Sequence, residues 1–150
     1  MIVELAKQEI GTQEKPVNKT KYGKWYGLNG QPWCAMFVSW VYDQAGLVKS
    51  IAAQSPKGFA SCDVGLKWFA KKNKLVPVGQ AEPGDLAFFQ FDDDAAPDHV
   101  GIVIANRPRR KQIVCIEGNT SSGVSGSQSN GDGVYKRVRS YSDVMGIARP

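Results

Sequence analysis

The sequence predicts an α+β fold, with N-terminal helices packed on a C-terminal antiparallel sheet of about five strands. Three observations predict it. Apolar residues recur at helical spacing in segments up to about residue 72. From about residue 82 the chain changes to short β-rich runs separated by turn material. The helices precede the strands as a block, which is the order of an α+β domain rather than of alternating βα units. The 150 residues suit one domain, 1–150, with no internal repeat and no dividing linker.

Each element has its own signal. Residues 2–10, IVELAKQEI, put Ile2, Leu5, Ala6 and Ile10 near one helical face, and Gly11 is placed to stop that helix. Residues 12–33 are rich in Lys, Gly, Asn and aromatic side chains and read as an ordered loop. Residues 34–45 form a second predicted helix. Ala35, Met36, Phe37, Val38, Trp40, Val41 and Ala45 leave it little polar face, so it belongs in the centre, with Gly46 as its cap. A third helix runs from about Cys62 to Lys72, with Ser61 as N-cap and Val64, Trp68 and Phe69 expected inward. EPGD at 82–85 is a turn. The strands expected after it are DLAFFQF, HVGIVIA, QIVCIEG, VYKRVR and VMGIAR. The stretch 118–133, GNTSSGVSGSQSNGDG, holds too little apolar surface to pack and is expected to be mobile. It reads equally as a plain connection between strands or as a rim that faces substrate.

Composition removes several classes of function. At 42% hydrophobic and 22% charged residues the chain buries a core and is not disordered. No apolar run approaches the roughly 18 residues of a membrane span. The N-terminus carries Glu4, Lys7 and Glu9 and lacks the apolar segment of a secretion signal. The chain is therefore expected either to be released by another route or to be cut from a longer protein. The net charge of +5 favours an anionic partner. The basic cluster RPRRK at 107–111 has no interleaved aromatic residues and reads as a solvated turn, not a nucleic-acid surface. Three cysteines are too few and too odd for a disulfide framework, and one histidine leaves no zinc spacing.

The chemistry gathers around Cys34. This thiol sits where QPW meets the apolar run AMFVSW. It is either core filler or a nucleophile in the first turn of a helix, where unpaired N–H groups favour a thiolate. His99, the single histidine, opens an apolar strand after the polar loop DDDAAPD. Glu117 ends the strand QIVCI and needs a buried partner, and Asn119 begins the loop that follows. Together they suit a thiol nucleophile, a base that takes its proton, and a group that fixes the imidazole tautomer.

The motifs PWCAMFVSW, PGDLAFF, DHVGIVI and IEGNT, in this order, resemble the CHAP domain. This is the cysteine- and histidine-dependent amidohydrolase/peptidase module of peptidoglycan hydrolases, common in bacteriophage lysins. The resemblance spans about residues 2–148. It implies a papain-like fold and cleavage of a peptidoglycan amide bond, either between muramic acid and alanine or in a peptide. It places Cys34 on the family nucleophile, His99 on the general base, Glu117 on the acidic third member and Asn119 on its polar companion. Which of the last two orients His99 stays open, and both are expected to face the ring from one strand.

Tyr22, Trp25, Tyr26 and Trp33, just ahead of the cysteine, are candidates for a substrate groove wall. Some relatives bind calcium before the cysteine through closely spaced Asp residues. Residues 15–33 contain none, and Asp92, Asp93, Asp94 and Asp98 read as an acidic solvated loop, so no metal and no cofactor are expected. The expected partner is bacterial peptidoglycan, with neither nucleic acid nor membrane. The chain is expected to be a monomer, attached by its own charge or by a separate wall-binding domain. The cell wall is the expected place of action, reached from a phage-infected cell or on a virion. The competing readings are a non-catalytic wall-binding or tail-structural domain, and a thiol acyltransferase or peptidase of proteins. Cys62 and Cys115 are expected to be structural.

Overall fold

The computed structural model describes every residue except 124. Four α-helices come first: α1 (Ile2–Gln8), α2 (Lys21–Tyr26), α3 (Cys34–Gln44) and α4 (Cys62–Lys71). Six strands follow: β1 (Leu75–Val76), β2 (Leu86–Phe89), β3 (His99–Arg107), β4 (Gln112–Thr120), β5 (Gly133–Ser140) and β6 (Val144–Ala148). They form one sheet in the order β1-β6-β2-β3-β4-β5, with every neighbour antiparallel. The α+β expectation is met, with a two-residue edge strand added to the five expected.

α3 is the central helix. Eight of its 11 residues are buried, and it packs on β3 and β4. Gly118 in β4 allows that approach. A Cβ there would lie 2.7 Å from Phe37 Cβ and 2.8 Å from Trp33 Cζ3, closer than side chains tolerate.

α2 lies within the stretch read as loop. Thr20 Oγ1 accepts from Gly23 N at 3.0 Å, and Gly27 closes the helix at φ +101°. Six residues are too short to show a helical period, so its caps are its only signal. In α4, Ser61 Oγ accepts from Val64 N at 3.3 Å, as expected of a cap. The inward face differs from expectation. Cys62, Gly65 and Phe69 are buried, while Val64 is 39% exposed and Trp68 only half-buried. Gly65 sets this rotation, because its missing side chain admits the Phe59 ring. Ile10 lies beyond α1 and is exposed, and Glu9 takes the inner position.

The sheet has two faces. The helices cover one, burying Phe88, Val100, Ile102, Ile116 and Val134. The other carries a smaller cluster of Ala87, Phe89, Val103, Ile113, Cys115 and Ile147. By strand alternation His99 and Gly101 share a face with Val103, and Glu117 shares a face with Cys115. Residues 11–14 run along the start of β5, through Gly11 N to Val134 O (2.8 Å), Val134 N to Thr12 O (2.9 Å) and Glu14 N to Asp132 O (2.8 Å).

Candidate active site

Cys34 is the first residue of α3 and is 5% exposed. The Phe37 N–H bonds to Trp33 O at 2.9 Å. The N–H groups ahead of Phe37 have no carbonyl earlier in the helix to meet, so they point their partial positive charge at the sulfur's surroundings.

His99 opens β3 opposite Phe89 and is fully buried. Its Nε2 lies 2.8 Å from Glu117 Oε1 on the neighbouring strand. Gly101 opens the path between them. A Cβ there would stand 2.6 Å from Glu117 Cγ, so only glycine lets the carboxylate cross β3 to reach the ring. With Nε2 donating to a carboxylate, the other ring nitrogen is left to face the sulfur. Nδ1 is buried and has no hydrogen-bond partner among the described residues.

Glu117 has a second cation. Arg139 donates from Nε to Oε2 at 2.9 Å and from Nη2 to Oε1 at 2.5 Å. Its Nη1 holds Gln128 Oε1 at 2.9 Å and its Nη2 holds Thr120 Oγ1 at 3.2 Å. The guanidinium carbon lies 4.7 Å from the Phe91 ring centroid and 5.7 Å from that of Phe89. Sequence reading passed over Arg139, because VYKRVR alternates like an ordinary edge strand.

These contacts set the charges. Burial works to raise the Glu117 carboxyl, but the His99 and Arg139 cations outweigh it and hold it below the usual carboxylate range. Burial also works to lower His99. The Glu117 charge, its hydrogen bond to Nε2 and the nearby Cys34 sulfur win, and the His99 pKa is pushed up to about 9. Cys34 is held well below the ordinary thiol value, first by the Cys62 thiol, then against burial by His99 and the Val100 N–H. Both shifts run toward a thiolate beside an imidazolium.

The remaining expectations divide. Asn119 does not reach the ring. Its Nδ2 donates to Ser129 O at 3.3 Å and Asn130 Oδ1 at 3.2 Å. It adopts φ +57°, and the β4–β5 register shifts between Glu117 and Thr120. That irregularity breaks the alternation that would have pointed both side chains one way. Of the two, Glu117 is the one hydrogen-bonded to His99.

Tyr22 and Trp33 are core residues, not groove wall. Both are fully buried, and their rings stack 5.5 Å apart. Tyr22 donates to Glu9 Oε1 at 2.6 Å, and Trp33 Nε1 donates to Glu14 Oε1 at 3.3 Å. Trp25 and Tyr26 are half-exposed and retain a surface, with Lys57 Nζ 5.4 Å from the Trp25 ring centroid.

Cys115 is buried on the second face, and burial pushes its thiol up. Cys62 opens α4, as the sequence predicted, and there it meets Cys34, a contact the sequence did not show. Its Sγ is 3.6 Å from Cys34 Sγ, and all three cysteines are free.

Asp92, Asp94 and Asp98 bring carboxylate oxygens within 4.8 Å of one another. Each already accepts a backbone N–H of its own loop, from Asp94, Ala96 and Phe91 respectively. The 118–133 loop is tied down more than its composition suggests. Gln128 Nε2 reaches Ser121 Oγ and Gly123 O, and Arg137 Nη1 reaches Gly123 O at 2.8 Å. The RPRRK turn is exposed and lies at the end of β3 opposite His99.

Comparison with known proteins agrees with this architecture. The model of the CHAP domain family matches residues 25–119, more than half of the chain. No curated protein matches the sequence. Among solved structures, the fold is similar to the crystal structure of a wild type endolysin, LysIME-EF1, with a TM-score of 0.56. The likeness is one of fold, at 13% identity, and covers 99% of this chain and 62% of that one. This chain thus spans under two thirds of that endolysin's length.

Proposed function

This chain belongs to the CHAP domain family, and from that premise we propose that it is a cysteine-dependent peptidoglycan hydrolase that cuts an amide bond. One observation carries the reading. The single histidine is anchored through Nε2 to Glu117, its Nδ1 carries no other bond, and Cys34 begins the helix beside it. A domain that only bound the wall would have no use for a buried carboxylate, imidazole and thiol arranged in series.

In this proposal the Cys34 thiolate attacks the carbonyl carbon of the amide. The developing oxyanion meets the open N–H groups at the start of α3. His99 passes its Nδ1 proton to the departing amine, and the Cys34 thioester remains. Water then enters, His99 takes one of its protons, the thioester opens, and the carboxylic acid product leaves. Glu117 keeps Nε2–H fixed throughout and stabilises the imidazolium, and Arg139 holds Glu117. Asn119 fixes the loop that leaves the site. Trp25 and Tyr26 are the remaining candidates for a glycan- or peptide-facing wall.

The chain works in this reading as a single catalytic domain and a monomer. Its +5 charge assists attachment to the anionic wall in this reading. Purified cell walls give the test. The protein should clear their turbidity, and mass spectrometry of the released fragments should show new amine and carboxylate ends. Cys34→Ala should abolish clearing while the protein stays folded. Clearing by Cys34→Ala at more than about a tenth of the normal rate would reject the proposal.

A further inference from the structure

Two helices aim their N-termini at one point. Cys34 is the first residue of the 11-residue α3, and Cys62 is the first residue of the 10-residue α4. Their sulfurs lie 3.6 Å apart, and the residues are 5% and 8% exposed. Two ionised thiols at that distance would repel in a site nearly free of water. Two neutral thiols would leave two helix N-termini facing no negative charge. One proton between two sulfurs satisfies both demands.

The surroundings decide which sulfur keeps the proton. His99, a cation near neutral pH, acts on Cys34. Cys62 keeps its proton first through its contact with Cys34 and through burial, and Asp98, which accepts from Phe91 N at 2.8 Å in the loop before β3, adds a smaller like-charge push. Glu117 and Arg139 reach the pair only through His99. The His99 cation on one side of the pair is what makes the two sulfurs unequal, and Asp98 adds to it from the other.

We propose that Cys62 is a positioning residue of the active site, its S–H donating a hydrogen bond to the Cys34 thiolate. The proposal rests on Cys34 being the nucleophile. It gives that sulfur a third source of support besides the helix start and the imidazolium. The bond also fixes the direction of the sulfur lone pairs, and so the line of attack on the carbonyl.

The test follows Cys34 alkylation by iodoacetamide across pH 4–9 in fully reduced protein, with peptide mapping of the modified residue. Wild type, Cys62→Ala and Cys62→Ser are compared, with circular dichroism as the check on folding. In Cys62→Ala the titration of Cys34 should move up by about one pH unit, the size expected when one hydrogen bond to a charged acceptor is lost. Labelling on the acid side of the wild-type titration should slow about tenfold, and the acid limb of kcat/KM should move with it. Cys62→Ser keeps a donor and should stay close to wild type. Should Cys62→Ala fail to fold, Cys62→Val supplies the donor-less comparison.

An unmoved Cys34 profile in a folded donor-less variant overturns the proposal. So does alkylation of Cys62 ahead of Cys34 in wild type. Failure of the underlying reading has a separate signature, since Cys34→Ala would then still clear cell walls whatever Cys62 does.

Discussion

Two arginine–carboxylate pairs brace the same sheet, and they do different things. Arg149 grips Asp85 through Nε at 3.0 Å and Nη2 at 2.9 Å. Arg139 grips Glu117 in the same two-pronged way. Both carboxylates are buried. Asp85 has its bonding filled by fixed donors, since Glu82 N–H takes Oδ2 at 2.8 Å. The result is a staple that ties the EPGD turn to the residue that follows the last strand. Glu117 divides its oxygens between a permanent cation and a ring that gains and loses a proton. A carboxylate closed by fixed donors gives stability. A carboxylate left one proton-transferring partner sets the charge of that partner. The partner, more than the pair, makes the difference.

The sharpest way to break this contrast is Glu117→Gln. It keeps the shape and removes the charge that holds His99 protonated. The variant should lose about 10²- to 10⁴-fold in kcat/KM on soluble wall fragments. Asp85→Asn should lower the melting temperature and leave specific activity as it was. A Glu117→Gln enzyme with normal kcat/KM would show that Glu117, too, is only a staple.

Arg139→Met tests the stability side. Removing one member of a buried ion pair costs about 3–5 kcal/mol. At about 2–4 °C per kcal/mol for a domain this size, the melting point should fall by roughly 10 °C. Arg149→Met, at a partly exposed pair, should fall by clearly less. Equal losses in thermal unfolding would mean that burial does not separate the two pairs.

Gly101→Ala probes position without touching charge. Its new Cβ would press on Glu117 Cγ at 2.6 Å and push the carboxylate off the ring. Misplacement on the 1 Å scale should cost roughly 10- to 100-fold in rate. Steady-state kinetics at wild-type level would mean that the side chain has another route over β3.

The smallest effects are in pH. The alkaline limb of kcat/KM should fall near pH 9, where His99 loses its proton, and move down in Glu117→Gln. Stability carries a matching signature. Folded His99 keeps its proton to about pH 9, while the unfolded value is about 6.5. Its stabilising contribution is therefore complete below about pH 6.5 and lost as pH rises through 9. The depressed Cys34 works with the opposite sign, adding stability as pH rises toward the ordinary thiol value of about 8.5. The two therefore oppose each other in the wild type below the ordinary thiol value. Cys34→Ala removes the opposing contribution and leaves His99 raised by Glu117 alone, so its melting temperature should drift down as pH rises above about 6.5. A flat curve for the variant would sink this proton count.

The legible part of the site was the part written at element starts and ends. Cys34 opens a helix, His99 opens a strand and Glu117 nears the end of one, each at a visible change of pattern. Helix blocks and strand runs were legible from their periods. Asn119 was misjudged because alternation assumes a regular strand, and its positive φ with the register shift breaks that rule. Tyr22 and Trp33 were misjudged because residues 12–33 have no period to separate core from surface. Arg139 depends on strand register, as it pairs with Ile113 and reaches diagonally to Glu117. Cys62 depends on two helices meeting 28 residues apart in the chain, which no local pattern records.

The outer edge of β5 has a consequence for handling the protein. An unpaired strand edge is a template for another chain to pair with, and so a seed for aggregation. Here residues 11–14 lie along its first part, so the N-terminal segment acts as a cover strip. Farther along, Lys136 and Arg137 put positive charge where a second chain would dock, although Val138 is 46% exposed between Arg137 and Arg139. Trimming the chain before residue 15 should therefore bare a sticky edge one strand away from Glu117. Shortened versions would be expected to lose solubility together with the α1 packing and the Glu9 and Glu14 partners of Tyr22 and Trp33.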